Sequence, residues 1–544
     1  MIASFHRIFG IIAVCIWAGL SPVQASAGPV KDRIEALTKQ ISEPGLAAIG
    51  AETLLAEQFI IDFYAQRQFA PVWFGTAAEV ELITELRAGV SHGFLPQDFH
   101  LTALPEARFV AEQGDPADIA RYDVLATDAA VRLIYYNVFG KVNPAEFDQA
   151  WNFDRPIIEA DPVAVMETYL NGEGFSALIA RISIKTPQYT QLIDALAQYQ
   201  MIVSNGGWPE LPSDEVIKPG MTSPVVALLR DRLEAEGVLR AGKTLAPVTA
   251  INTDPREVYD AALQEDVRAF QTRHGLDADG VIGGRSFQAL NRTAAHRVDQ
   301  LRLSLERGRW LMRDLEGDFI LVNIAGARTY LVREDGTLWM TRSITGSQYR
   351  KTPIFRDEIK YMEFNPTWTV PRSIFLKDKL ETIRRDAGYL GRNDYIVRDS
   401  EGRTIPAHSV DWTASNPNVT LVQQPGPDNA LGLVKFMFPN EYAVYLHDTN
   451  NKSLFSRNER NLSSGCVRLE YPFELVMLLM ENDPDWSFER MQSILDSKKT
   501  TRIDLAEPMP VLLTYWTAWV EDGAVQFRED IYERDDAILG ALNK

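Results

Sequence analysis

The feature that most constrains this chain is a change of hydrophobic period near residue 317. Before it, apolar residues recur at three and four, as in Asp123–Phe139 and Tyr189–Ile202, the spacing of helices with one buried face. After it, "DFILVNIAGARTYLVREDGTLWMTRSITG" alternates with period two. That pattern predicts strands separated by an Ala-Gly turn and by an Asp335-Gly336 hairpin. One packed layer cannot serve both periods, and 544 residues exceed a single domain, so a multidomain α+β architecture is expected. With 46% apolar and 24% charged residues, wholesale disorder and fibrous folds are excluded. A formal charge of −19 argues against a general nucleic-acid binder, whose phosphate contacts need clustered Lys and Arg.

The N-terminus reads as an export signal over residues 1–27. Arg7 precedes an apolar run from Ile8 to Leu20, Pro22 breaks it, and Ala25-Ser26-Ala27 fits signal peptidase. The run is too short to cross ~30 Å of hydrocarbon comfortably, so cleavage near Ala27 is expected over an uncleaved anchor. A lipoprotein reading through Cys15 is weakened by Val14, where a small residue belongs. No later segment is apolar for long enough to span a membrane, and the mature protein is expected in the periplasm. Cleavage leaves Cys466 as the sole cysteine. In an oxidising compartment it is then an intermolecular disulfide, an inert buried thiol or a reactive one. One thiol among dispersed histidines makes no zinc cluster, and neither metal nor cofactor is expected.

Residues 28–217 form a helical scaffold punctuated by Asn143-Pro144, Asn171-Gly172 and Gly206-Gly207-Trp208-Pro209. Trp73, Trp151 and Trp208 sit beside turns and read as core anchors. Residues 218–292 form a compact unit with helices at Ser223–Glu236, Tyr259–His274 and Arg285–Leu290, the last two separated by Asp279-Gly280-Val281-Ile282-Gly283. His274 reads as a helix-end residue and not a ligand. The stretch "VRAFQTRHGLDADGVIGGRSFQALN" resembles the three-helix peptidoglycan-binding family, which implies a wall-binding module, with a degenerate spacer as the alternative.

A linking helix (Val298–Met312, within residues 293–316) leads to a β-rich domain at 317–544. Further strands are expected at Ile359–Pro366, Leu433–Pro439, Tyr442–His447, Thr501–Asp504, Val511–Val520 and Ala524–Arg528. Helices are expected at Glu470–Met480 and Phe488–Ser497. Residues 371–432 interrupt the strands with helical character near Ile374–Arg385 and a proline-rich return from Pro406 to Pro427. Insertions of that length are lids or binding loops, or are disordered.

Cys466 lies in "NLSSGCVRLEYP". Ser463, Ser464 and Gly465 suit a tight turn whose N–H groups can face a reacting oxygen. Nineteen residues upstream, "YAVYLHDTN" puts His447 at a strand end, with Tyr445 on the same face and Leu446 turned to the core. A cysteine and a histidine that can take its proton make the minimal activated nucleophile. Taken alone, His447 also fits a satisfied strand-end residue and Cys466 a small buried hydrophobe. Arg468, two positions on, can grip a carboxylate. The order His then Cys excludes the papain arrangement, and no caspase-like signature is present.

"YLHDT…SSGCVR" resembles the catalytic signature of the YkuD-type L,D-transpeptidases, and the run does not resemble that of sortases. The succession of scaffold, wall-binding module and catalytic domain with a large insert is similar to the long YcbB-type branch of that family. The resemblance implies a β-rich YkuD-type catalytic domain with an inserted lid subdomain and a ping-pong acyl transfer. In that reaction Cys466 attacks the carbonyl of the third residue, a diamino acid, in a peptidoglycan tetrapeptide stem, and terminal D-alanine leaves. The side-chain amine of a second stem then resolves the thioester to a 3–3 cross-link; a wall-anchored protein is the alternative acceptor. His447 is then base and acid, and the amides of Gly465 and Cys466 are the oxyanion donors. Asp448 orients the histidine through its carboxylate or its backbone. Arg468 binds substrate carboxylate or braces the loop, Tyr445 and Trp368 are candidate walls of the site, and Ser464 shapes it. Two other readings remain at this stage. In one, water resolves the thioester, giving an L,D-carboxypeptidase or another hydrolytic wall-remodelling enzyme. In the other, the chain is a silent wall-binding scaffold.

Overall fold

The computed structural model describes residues 27–148, 151, 160–212, 215–238, 254–313, 315 and 317–544. Residues 1–26 of the expected signal segment, with Arg7 and Cys15, lie outside them. Among the described residues no helix is long and apolar enough to cross a membrane. Two compact units are present. One draws on residues up to Leu86, on Pro96–Arg132 and on Ala160–Leu178, the other on Arg87–Leu95, Leu133–Glu159 and Ile179–Lys544.

The first unit is helical. Its fully buried Asp123 accepts hydrogen bonds from the Tyr64 hydroxyl and from the Val72 and Trp73 amides, each at 2.8 Å. A buried carboxylate needs such partners. Trp73 is buried beside it, as its place near a turn predicts.

The second unit holds the rest. Helices α1 (Pro224–Ala235), α2 (Ala261–Arg273) and α3 (Gly284–Leu290) form the small module, its core made by Val226, Leu229, Leu233, Val267, Phe270 and Leu290. Asp260 caps α2 by accepting from the Leu263 amide at 2.8 Å, and His274 closes it with Nδ1 2.8 Å from the Phe270 carbonyl. Helix α4 (Ala294–Leu311) is buried along most of its length. Its arginines are tolerated there because each meets an acceptor or a counter-charge: Arg309 donates to Glu306 at 2.9 Å, and Arg307 forms an ion pair with Asp535 at 2.7 Å without hydrogen-bond geometry.

The strands that follow close into a ring. They are β1 (Phe319–Asn323), β2 (Arg328–Val332), β3 (Leu338–Gly346) and β4 (Phe355–Phe364). After an insert come β9 (Val434–Met437), β10 (Leu446–His447), β11 (Asn461–Ser463), β12 (Val467–Leu469) and β13 (Thr501–Thr514). The order is β11-β3-β12-β10-β9-β4-β13-β1-β2, and β2 pairs back to β3. Helices α5 (Pro472–Leu479) and α6 (Phe488–Asp496) lie between β12 and β13.

The insert carries its own antiparallel sheet. Strands β5 (Trp368–Thr369), β6 (Tyr395–Arg398), β7 (Thr404–Ile405) and β8 (Thr420–Gln423) run in the order β5-β8-β6-β7. Its helical part contains a π-helical turn at Phe375–Lys379. Its core includes Trp368, Phe375, Leu380, Leu421 and Leu431, so the segment is a small folded body and not a loose loop.

Two expectations about strands are corrected. Only Leu446 and His447 of the expected strand Tyr442–His447 pair. Upstream, Asn440 Oδ1 accepts from the Tyr442 and Val444 amides at 3.1 and 3.2 Å, and Ala443 takes φ 52°, which makes a turn. Conversely, Thr501–Thr514 is one strand against β4, with a register shift between Asp504 and Met509 that absorbs Pro508, while Pro510 stays in register opposite Glu358. It ends at Thr514, and the hairpin β14 (Ala518–Glu521) and β15 (Ala524–Phe527) follows. That hairpin receives the module: Arg273 Nε donates to the Val525 carbonyl at 3.0 Å and Arg528 Nη1 to the Arg273 carbonyl at 2.8 Å, while His274 stacks 5.6 Å from Phe527.

Candidate active site

Three neighbouring strands lay out the site. β10 is parallel to β12, with Leu446 opposite Val467 and His447 opposite Arg468, and antiparallel to β9, with Lys435 opposite His447. Residues directly opposite share a face, so Lys435, His447 and Arg468 form one row. Two residues back along each strand, Tyr445 and Cys466 form the adjoining pair, joined by the Val467 amide donating to the Tyr445 carbonyl at 3.1 Å. The Tyr445 hydroxyl donates to the Cys466 sulfur, and its ring meets the imidazole edge-on at 5.6 Å. Leu446 and Val467 turn the other way and are fully buried.

The half-buried Cys466 ends a tight turn in which Gly465 takes φ +122°, open to glycine and strained for other residues. Thr352 Oγ1 donates to the Gly465 carbonyl at 2.7 Å, and Ser463 Oγ donates to the Cys466 carbonyl at 2.6 Å. The Gly465 amide donates to Ser463 Oγ at 3.1 Å, so the expected pair of oxyanion donors is reduced: this one is already committed. The Cys466 amide has no acceptor among the described residues.

The Asp448 carboxylate does not reach the imidazole. Oδ2 accepts from the Leu433 amide at 2.9 Å and Oδ1 from Lys452 Nζ at 2.5 Å, which pins the return from the insert. The ring is held instead by the backbone carbonyls of Asp448 and Leu431, and Nδ1 is buried without a partner. That leaves Nδ1 as the proton-accepting atom. Trp368 is packed in the insert core near Tyr395, and Tyr445 touches both that core and the barrel core. Ser464 is exposed and accepts from Arg350 Nη1 at 2.8 Å; the same guanidinium clasps Asp378 of the insert at 2.5 and 2.8 Å. Arg350, Thr352, Asp378 and Lys435 are functional candidates that the sequence reading missed. Lys435 alone left a signal, lying two residues into an expected strand. Among the described residues no cluster of three His, Cys, Asp or Glu side chains converges on a metal-sized space.

Burial, then Arg468, pushes the His447 imidazole down to about 3, with Lys435 adding to the effect and the two carbonyls opposing it. Burial pushes the Cys466 thiol up, against hydrogen bonds from Tyr445 and the charge of Arg468. At neutral pH the resting pair is therefore thiol and neutral imidazole, not an ion pair. The alkylation rate of Cys466 by iodoacetamide is expected to climb beyond the ordinary thiol range near ~8.5. A plateau below pH 7 would show a preformed thiolate and contradict the geometry.

Residues 317–495 match the L,D-transpeptidase catalytic domain model, YkuD. The chain carries a YkuD catalytic domain. Residues 222–290 match a "Putative peptidoglycan binding domain" and residues 58–196 a "Scaffold domain". A Haemophilus influenzae protein named "Putative L,D-transpeptidase" is 36% identical over 226 residues, 41% of this chain and 46% of that protein. The match thus spans less than half the length of that relative. Among solved structures, an L,D-transpeptidase from Mycobacterium smegmatis is 14% identical, with 36% of this chain and 58% of that chain covered and a TM-score of 0.17. One from Xylanimonas cellulosilytica is 15% identical over 56% of this chain and 100% of that chain, also at 0.17. The YkuD match includes every residue of the row Lys435, His447, Arg468 and of the pair Tyr445, Cys466.

Proposed function

We propose that the chain is an exported peptidoglycan L,D-transpeptidase that forms 3–3 cross-links through a thioester on Cys466. The observation that carries this is the strand register, which sets Cys466, Tyr445, His447 and Arg468 on one face. His447 Nδ1 takes the thiol proton as Sγ bonds to the carbonyl carbon of the third stem residue. The Cys466 amide faces the oxyanion that forms. As the tetrahedral adduct collapses, the C–N bond to D-alanine breaks and the imidazolium gives its proton to the leaving amine. The side-chain amine of an acceptor stem then attacks the thioester and loses its proton to His447; the thiolate is released and reprotonated as the new amide forms. Tyr445, touching both barrel and insert, couples this centre to the cover that would exclude water. Arg468, with no carboxylate partner among the described residues, is the receptor for a substrate carboxylate. The module and the export signal fit work at the wall outside the cytoplasm.

Purified protein given disaccharide-tetrapeptides is expected to form cross-linked dimers and release D-alanine, read by mass spectrometry. Release of D-alanine with tripeptide and no dimer would replace this reading by hydrolysis. No reaction of either kind would leave a wall-binding scaffold.

A further inference from the structure

The row Lys435–His447–Arg468 puts a cation on each side of the imidazole. The two are not equivalent. Lys435 Nζ lies 2.9 Å from Glu363 Oε1, directly opposite it on β4, so its charge is balanced. Arg468 makes no ion pair among the described residues, and its Nε is buried without a partner. The other groups around the ring cannot compensate. The Asp448 carboxylate is taken by Leu433 and Lys452, Leu431 offers a carbonyl, and Tyr445 and Cys466 are neutral at rest. The sheet thus faces its one candidate base with an unbalanced positive charge, which opposes proton uptake.

We propose that Arg468 gates His447: a carboxylate of the donor stem that pairs with Arg468 balances the second cation and converts the imidazole into a working base. Proton removal from Cys466 is then coupled to occupancy of the site, and the thiol stays protonated when no stem is bound. The ligand class follows from the planar guanidinium, which matches a carboxylate. A stem offers one at its terminal D-alanine and, where its third residue is a diamino dicarboxylic acid, a second on that side chain. The ligand rests on the transpeptidase reading; the electrostatic effect on His447 does not.

The test is an NMR titration of the His447 imidazole in the full chain. Arg468→Gln is expected to raise its midpoint by at least one pH unit, about tenfold in basicity, and Arg468→Lys, which keeps the charge, to leave it low. An unchanged midpoint in a folded Arg468→Gln protein overturns the gate whatever the enzyme's reaction. Should that variant not fold, ligand carries the test: in Cys466→Ala protein, saturating tetrapeptide should raise the midpoint similarly. Peptide with an amidated terminus, and peptide with lysine in place of the diamino dicarboxylic acid, tell which carboxylate acts; one of them should abolish the rise. A rise that survives both changes overturns the proposal. A tetrapeptide that shifts no resonance at all counts against the transpeptidase reading, and Arg468→Gln then decides the gate alone.

Discussion

Cys466→Ser is expected to lose at least ~10³-fold in cross-linking rate while melting like the parent protein. A hydroxyl is far harder to deprotonate than a thiol, and the neutral imidazole beside it is held as a weak base by burial and Arg468. The hydrogen bond the thiol donates, to the Ala443 carbonyl, spans 3.7 Å, and those it accepts from Tyr445 can be accepted by a serine oxygen as well. Loss of activity without loss of stability therefore separates a nucleophile from an inert buried thiol. A carbapenem should leave one acyl group on Cys466 in the parent protein and none in the variant. An adduct that persists at the parent rate would move the chemistry to another residue.

Gly346→Ala is expected to damage both stability and reactivity, although it lies 120 positions before the cysteine in sequence. A methyl there would collide with the Arg350 carbonyl oxygen and sit 2.6 Å from the Thr352 nitrogen, both backbone atoms that cannot swing aside. Thr352 is the group that accepts from the Gly346 amide at 2.9 Å and donates to the Gly465 carbonyl. Pushing it outward frees the nucleophile turn. Overpacking of this kind costs about 1–3 kcal/mol or more, which should lower the unfolding midpoint and slow Cys466 alkylation together. Gly426→Ala, with open space around it and no positive φ, is the control expected to stay within ~0.5 kcal/mol. Equal melting curves for the two variants would contradict the packing argument.

The chemistry-bearing residues were legible because they are local. His447 and Cys466 sit in short runs whose alternation and turn composition survive without tertiary context, and helices such as Pro187–Ser204 announced themselves by period. What escaped depends on contacts that no spacing encodes. Arg350 reaches Ser464 across 114 positions and Asp378 across 28, from a loop with no pattern of its own. The Gly465 amide looked free because glycine turns often expose N–H groups, but the hydroxyl two residues earlier takes it. The strand through Tyr442 failed because one side chain, Asn440, offers the backbone a competing set of hydrogen bonds. Two prolines hid the continuity of Thr501–Thr514: a bulge takes Pro508, and Pro510 keeps its place in the ladder opposite Glu358.

The seam between module and hairpin has a mechanical corollary. Because Arg273, His274 and Arg528 rivet the two bodies through main-chain carbonyls and stacked rings, the module is not a grapnel on a slack rope. Local concentration at the nucleophile is then not governed by tether length. Any polymer bound by the module would then be held in a set relation to the hairpin, and its access to the sulfur would follow from the fold and not from slack in a linker.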